Sequence, residues 1–448
     1  MHTCRKWRRI VFESQQALDL RLFCTRGTPL LKSLYCWPAL PIVVQYGGSL
    51  EDDLPTPEDK DNIVAAFKRP HRVISISLTV TPTIQGMLST IESPFAELEH
   101  LVLLSQDAVR SLIQPRAFWS GQWGTRLRSL HLTRIALLEL PRLLYSSKNL
   151  VDLQLHDVPY PSNFSIAALT TALSGLTQLR SLSLRFLPPI YYHFATFLPS
   201  SKKRVALPSL TRFDFRGITS FLDSLVAGID APRLGEIGVT IVEESESDLS
   251  VLIEFIDRIK LHKSPRRADI KSSEYDITIS LTQPGSSTGL KLTLPIMSSG
   301  FVTFDIHVAI ICYRFADFLV NVEDLRLDLH INAQQLPTLD YDIYDGRWRW
   351  FIELFVGVKW LQVSGNLSSD IVNSLQIRDH DRWRTPVLPA LHKIHILQPG
   401  PCHELLRKAI ASLITSRLLS GHHPIAVEYN QVLLTSELGA TGTVYYNQ

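Results

Sequence analysis

Clustered cysteines are the first thing this sequence of 448 residues lacks. Its five cysteines, Cys4, Cys24, Cys36, Cys312 and Cys402, are scattered and odd in number. No C-x-x-C pair occurs and no Cys/His cluster has zinc spacing, which excludes a disulfide framework and a zinc finger. The thiols read as small buried apolar groups in a reducing compartment. Long apolar runs are missing too. No stretch reaches transmembrane length, and the opening MHTCRKWRRIVF has no signal-peptide core. Asn163 and Asn366 lie in sequons that therefore read as chance. The expected location is cytoplasmic and/or nuclear, with no membrane partner. Charge excess is the third absence. A formal net charge of +2 supplies no bulk attraction to nucleic acid, which is not an expected partner.

Catalytic signatures are missing as well. The sequence contains no G-x-S-x-G, no P-loop, no H-E-x-x-H and no G-x-G-x-x-G after a strand. GATGTV near Gly439 has glycines but no helix after them to hold a phosphate. His392 and His395 face opposite ways on a strand, His403 stands apart, and His422 and His423 fall in a loop, so none completes a metal set. The acids Glu243, Glu244, Glu246 and Asp248 precede a helix and suit its N-terminus. The expectation is no enzyme, no cofactor and no metal.

What is present is a repeated phrase. LRSLHL at Leu127–Leu132, LVDLQL at Leu150–Leu155 and LRSLSL at Leu179–Leu184 share L-x-x-L-x-L, and their starts lie 23 and 29 residues apart. A strand alternates its faces, so the last two leucines of each phrase point into one core. One such strand cannot bury its apolar face alone, whereas stacked units can, and this period marks leucine-rich repeats. The fold class expected is α/β, an irregular leucine-rich-repeat solenoid: a curved stack of parallel strands with helices on the convex side.

Other segments fit the same rhythm. VISISLTV (Val73–Val80) and LEHLVLL (Leu98–Leu104) come before the central phrases, with LTRFDF (Leu210–Phe215) and LGEIGV (Leu234–Val239) after them. VEDLRL (Val322–Leu327), VKWLQV (Val358–Val363) and LHKIHI (Leu391–Ile396) resume it later. Earlier, Leu20 and Leu22 alternate with charge as in a strand, and PIVVQY reads as another. Helix signals lie at Pro57–Phe67, Thr81–Ser93, Ser165–Ser174, Thr219–Ala227, Asp248–His262, His307–Val320 and Glu404–Leu419. YDITISL and LKLTLPI flank QPGSSTG as two strands around a loop. KKR at Lys202–Arg204 and KSPRR at Lys263–Arg267 read as solvated loop charge rather than localisation signals.

In each phrase the residues alternating with the core pair should share the concave face. They are Ser129 and His131, Asp152 and Gln154, Ser181 and Ser183, Arg212 and Asp214, Asp324 and Arg326, and Trp360 and Gln362, with His156, Arg185 and Arg216 just beyond. Mixed polarity with Arg and Trp suits a protein or peptide target.

The repeats resemble those of F-box proteins, particularly a large fungal group of F-box-like proteins. Ile135, Val158, Leu187 and Ile218 stand three places past the strand phrases, where extracellular repeats carry Asn, so the likeness is to intracellular versions. C-R-K-W-R-R-I at Cys4–Ile10 resembles the last helix of an F-box, through Cys4, Trp7, Arg8 and Ile10. The F-box so matched is incomplete at its N-terminal side, since the opening phrase L-P-x-E-[IL] does not occur. The resemblance implies a substrate receptor docking on a Skp-type adaptor and cullin of a ubiquitin ligase. The alternative is a stand-alone repeat scaffold that binds protein without a ligase. The expected organisation is an F-box remnant at 1–17, a linking segment and cap at 18–71, the repeat array at 72–400, and a terminal helix and cap at 401–448.

Overall fold

The computed structural model describes residues 10, 13–14, 19–36, 40–47, 56–91, 93–105, 111–112, 125–136, 140–158, 166–187, 204–242, 249–259, 265–273, 276–285, 289–295, 312–329, 348–365, 368–376, 387–399, 403–421 and 424–430. The chain divides into two compact units, Met1–Leu234 and Gly235–Gln448. Both are α/β, each built on a mostly parallel sheet with helices between strands.

In the first unit the strands are β1 (Leu22–Cys24), β2 (Ile42–Tyr46), β3 (Val73–Val80), β4 (His100–Ser105), β5 (Ser111–Leu112), β6 (Ser129–Thr133), β7 (Ile135–Ala136), β8 (Asp152–Val158), β9 (Ser181–Phe186), β10 (Val205–Ala206), β11 (Arg212–Gly217) and β12 (Ile229–Asp230). The main sheet runs β1-β2-β3-β4-β6-β8-β9-β11, all neighbours parallel, while β5 pairs with β7 and β10 with β12. Each main strand therefore lies beside the previous one in the chain. Between them lie α1 (Leu30–Cys36), α2 (Pro57–Phe67), α3 (Pro82–Ser89), α4 (Leu140–Ser146), α5 (Ile166–Leu173) and α6 (Thr219–Gly228).

The strand phrases fix the buried face. Leu130, Leu153, Leu182 and Phe213 stand in register across four strands, as do Leu132, Leu155, Leu184 and Phe215, and all are buried. Each such side chain contributes about 1.5–3 kcal/mol on burial. The same two rows reach back through Leu101 and Leu103 to Ile76 and Leu78. Helix α6 covers this face with Phe221, whose ring centroid is 4.5 Å from that of Phe186 and 6.1 Å from that of Phe215. Gly217 leaves the room this needs, for a Cβ there would stand 2.9 Å from the Phe215 ring.

Near the start of this unit a polar network replaces apolar packing. Thr56 caps α2, with Pro57 at its first turn, and Thr56 and Asp59 form a reciprocal capping box. Asp59 also accepts from the Gly27 amide at 3.2 Å, and Asn62 accepts from Leu31 N while donating to the Thr28 carbonyl. The loop before α1 and the start of α1 are thereby tied to α2, and both Asp59 and Asn62 are buried. Here β1 is narrower than the alternation suggested: it begins at Leu22, after Asp19 takes a left-handed backbone (φ 47).

The second unit holds β13 (Glu236–Ile241), β14 (Arg267–Ser272), β15 (Asp276–Thr282), β16 (Gly289–Pro295), β17 (Asp324–Leu329), β18 (Trp360–Gly365), β19 (Lys393–Pro399) and β20 (Ala426–Asn430). Its helices are α7 (Ser250–Ile259), α8 (Ala316–Leu319), α9 (Ser368–Ser374) and α10 (His403–Leu419). The order is β13-β16-β15-β14-β17-β18-β19-β20. Only β15 among these strands runs antiparallel to its neighbours. The reason is connection length. Ser273 N donates to Asp276 O and Asp276 N to Ser273 Oγ, a tight turn too short for the crossover that parallel strands require. The two strands expected around QPGSSTG are β15 and β16, which pair antiparallel, and β14 had no counterpart among the expected strands.

Helix boundaries follow the sequence signals closely at α2 and α10. Helix α7 lies within the expected Asp248–His262, of which residues 248 and 260–262 are outside the described ones, and it buries Leu252, Phe255, Ile256 and Ile259, with Ile253 half-exposed. Of His307–Val320, residues 312–320 are described, and α8 occupies Ala316–Leu319. Helices α1, α4 and α9 had no counterpart in the sequence reading.

Candidate protein-binding face

The side chains opposite the leucine rows form three rows in register, polar apart from Val102 and Leu104 on β4. Ser75, His100, Ser129, Asp152, Ser181 and Arg212 make the first. Ser77, Val102, His131, Gln154, Ser183 and Asp214 make the second. Thr79, Leu104, Thr133 and His156 begin the third, which ends in Arg185 and Arg216. The eleven first-unit residues expected on this face, Ser129 to Arg216, all stand in these rows. The β3 and β4 members were missed, although VISISLTV and LEHLVLL carried the same alternation.

A bulge shapes the centre. Leu155 pairs with Leu184 and Val158 with Phe186, so His156 and Asp157 together oppose Arg185 alone. Asp157 there has φ 51, and Arg134, just past β6, has φ 58. Both are left-handed without being glycine, and their side chains pair at 3.5 Å. The bulge brings His156 Nε2 to 2.9 Å from Ser183 Oγ, which donates to Asp214 Oδ2 at 3.0 Å. Arg185 Nε donates to the same carboxylate oxygen at 3.0 Å.

Order matters for what this cluster can do. A hydrolytic triad needs the histidine between serine and acid, to take the hydroxyl proton and be oriented by the carboxylate. Here the serine is in the middle and donates its hydroxyl hydrogen bond to Asp214, so His156 is the donor to Ser183. The arrangement positions polar groups; it does not activate a nucleophile. His131 contacts Thr133 Oγ1 at 3.1 Å. Burial holds the imidazole of His131 below its ordinary value, Asp152 opposing and Arg185 adding to the effect. For His156 burial acts first, then Arg185 and His131, against Asp214 and Asp157. Both rings are neutral at neutral pH.

The second unit has its own open face. Asp324, Arg326, Trp360 and Gln362 stand there as expected, in register with β14 residues that were not. Arg267 Nε meets Asp324 Oδ2 at 2.8 Å, and Arg326 reaches Asp324 at 3.5 Å and Asp269 at 3.8 Å. Arg267 thus belongs to a strand and an ion pair, which corrects the reading of KSPRR as loop charge at that residue. Its signal was faint, only Ala268 and Ile270 alternating with charge. Trp360 is 55% exposed, with the Lys393 ammonium 5.1 Å from its ring centroid and bound to Glu428 at 2.6 Å.

Cys4, Trp7 and Arg8 lie outside the described residues, as do Asn163, Asn366, Lys202, Lys203, Lys263, Glu243, Glu244, Glu246, Asp248, His422, His423 and Gly439. Ile10 is described and is exposed. Among the described residues no group of three or more His, Cys, Asp or Glu is placed to hold a metal ion, and no helix is long and apolar enough to cross a membrane.

The fold class these residues define is α/β with a mostly parallel sheet in each unit. The chain matches no family model and no curated protein.

Proposed function

We propose that the chain is an irregular leucine-rich-repeat solenoid whose open strand face holds a protein target. In this reading it is the substrate-recognition subunit of a Skp–cullin–F-box ubiquitin ligase and performs no catalysis itself. The observation that carries target binding is the register. Parallel strands place Ser129 to Arg216 on one continuous polar face, backed by a leucine core that holds each backbone in place. Ligase docking is supported by the CRKWRRI segment alone. A scaffold without a ligase is the second reading, favoured because the face is built within residues 73–217 and owes nothing to that segment.

Co-purification with a Skp-type adaptor tests the docking, using this chain and a form carrying a complete F-box ahead of it. Binding by either form supports the ligase; binding by neither leaves the scaffold. Reversing charge at Asp152, Arg185, Arg212 and Arg216 together tests the face. Target capture that survives this change removes the face from the proposal.

A further inference from the structure

The third row of the first unit's open face changes character from strand to strand. It reads Thr79, Leu104, Thr133, His156, Arg185 and Arg216 from β3 to β11. Leu104 and Val102, successive residues on one side of β4, are half-buried apolar side chains in rows that are otherwise polar. At the far end Arg185 and Arg216 are partners in register, and both are exposed. No acid belongs to this row. Asp157, which shares the bulge with His156, is paired with Arg134 at 3.5 Å.

The two ends differ in what they leave unsatisfied. Arg185 turns Nε and Nη2 to the Asp214 carboxylate, each 3.0 Å away, while Arg216 makes no ion pair with a described residue. Two guanidinium groups beside one carboxylate leave a positive charge uncompensated there. The stretch between the ends is bonded within itself. His131 meets Thr133 at 3.1 Å, His156 meets Ser183 at 2.9 Å, and both rings are neutral at neutral pH. Leu104 stands three strand spacings from Arg185, roughly 14 Å, and four from Arg216, roughly 19 Å.

We propose that this row holds an extended segment of the target protein that crosses the strands, with an apolar side chain on Val102 and Leu104 and a carboxylate on Arg185 and Arg216. The inference rests on the reading of this face as the target site and adds the chemistry of what it takes. An extended chain repeats its side chains on one side every second residue, so i and i+4 stand roughly 13 Å apart, close to the span from Leu104 to Arg185. A planar guanidinium matches a carboxylate with two parallel hydrogen bonds, and the uncompensated charge at Arg216 selects an acid over an amide or a lysine. At the other end an apolar side chain shields Val102 and Leu104 from water, whereas an acid there would be desolvated without a partner. Specificity thus has an attractive and a repulsive part.

The test selects a displayed library of short random peptides on the full chain and measures the enriched ones by fluorescence anisotropy. They are expected to carry Asp or Glu four residues from Leu, Ile, Val or Phe. R216E and V102T/L104T should each weaken them about tenfold or more, with unchanged thermal melts showing that the variants fold. Replacing the peptide's acid by its amide should weaken binding to the native chain but not to R216Q. A selection without binders, enriched peptides that lack the acid, or an affinity that survives R216E or V102T/L104T overturns the proposal. So does displacement by a heparin oligosaccharide as effective as that by the unlabelled peptide, which marks a general anion patch. A photo-cross-linking group on the peptide separates the two levels. Attachment at β4–β11 by a peptide without an acid sinks this inference and keeps the face; attachment elsewhere sinks the face itself.

Discussion

The imidazole rings of His131 and His156 meet edge to face, 5.0 Å apart, on neighbouring strands of the open face. Both are held below their ordinary value, by burial first and then by Arg185, which faces them from β9. The sign follows from proton counting. Near pH 6 the unfolded chain, with histidines at about 6.5, binds more protons than the folded one, so stability rises with pH. The contribution is complete above about pH 6.5 and is lost as pH falls through the lowered folded values. Urea midpoints should fall more for the native chain than for H131Q/H156Q between about pH 7.5 and about pH 5.5. Parallel midpoints for the two proteins would contradict the assignment.

Neighbouring residues on β8 should separate fold from surface. Leu153 is fully buried between Leu130 and Leu182, and Leu153→Ala should cost about 3 kcal/mol. Gln154, on the other face, donates to Asp152 at 2.8 Å and is half-buried, so Gln154→Ala should stay within about 0.5 kcal/mol. Chemical denaturation of both variants decides it, and equal losses would mean that the faces are misassigned.

Asp59→Ala should destabilise the first unit by about 2 kcal/mol, since it removes the capping box and orphans the Gly27 amide. Burial alone would raise this carboxyl, but hydrogen bonds from Thr56 and Gly27 and the charge of Arg26 hold it below the usual range. Its contribution is therefore present above about pH 4 and lost as pH falls through the lower folded value. A difference between native and variant stability that is unchanged on acidification below about pH 4 would refute this.

Arg417 in α10 is buried, and among the described residues its guanidinium has one hydrogen bond, Nη1 to the Leu388 carbonyl at 3.3 Å. Burial lowers its pKa, and with no described carboxylate beside it this offsets what its stem contributes by packing. Arg417→Met should be neutral or stabilising by about 1 kcal/mol, while Arg417→Ala should destabilise. A melting temperature lowered equally by both variants would show that the charge, not the stem, holds the helix.

Cys24 and Cys312 are buried free thiols. Burial raises Cys24 to about 11, the Tyr46 hydroxyl opposing and Asp59 adding to it, and burial raises Cys312 further. Neither should react with a thiol reagent near pH 8 until the chain unfolds. Mass spectrometry after brief alkylation reads this directly, and rapid native labelling of either residue would count against the core described.

The strands that carry the repeated phrase, and their buried faces, were legible because the signal is local. In L-x-x-L-x-L each leucine reports its own side of the backbone, and Ser129 to Arg216 could be placed on the opposite face by counting alone. The start of α2 at Pro57 and the pattern of α10 were equally local. Such signals need only the rotation per residue of a strand or helix.

What tertiary structure decided is which strands lie side by side. The tight turn at Ser273–Asp276 makes β15 antiparallel and carries β14 to β17, so Arg267 finds Asp324, 57 residues away. The bulge in β8 turns His156 toward Ser183, and strand pairing sets Arg212 beside Ser181 and Arg185 beside Arg216. These contacts arise between segments whose own sequences are unremarkable. Backbone hydrogen bonds and the shared leucine core choose the neighbour, and the side chains on the open face meet as a consequence.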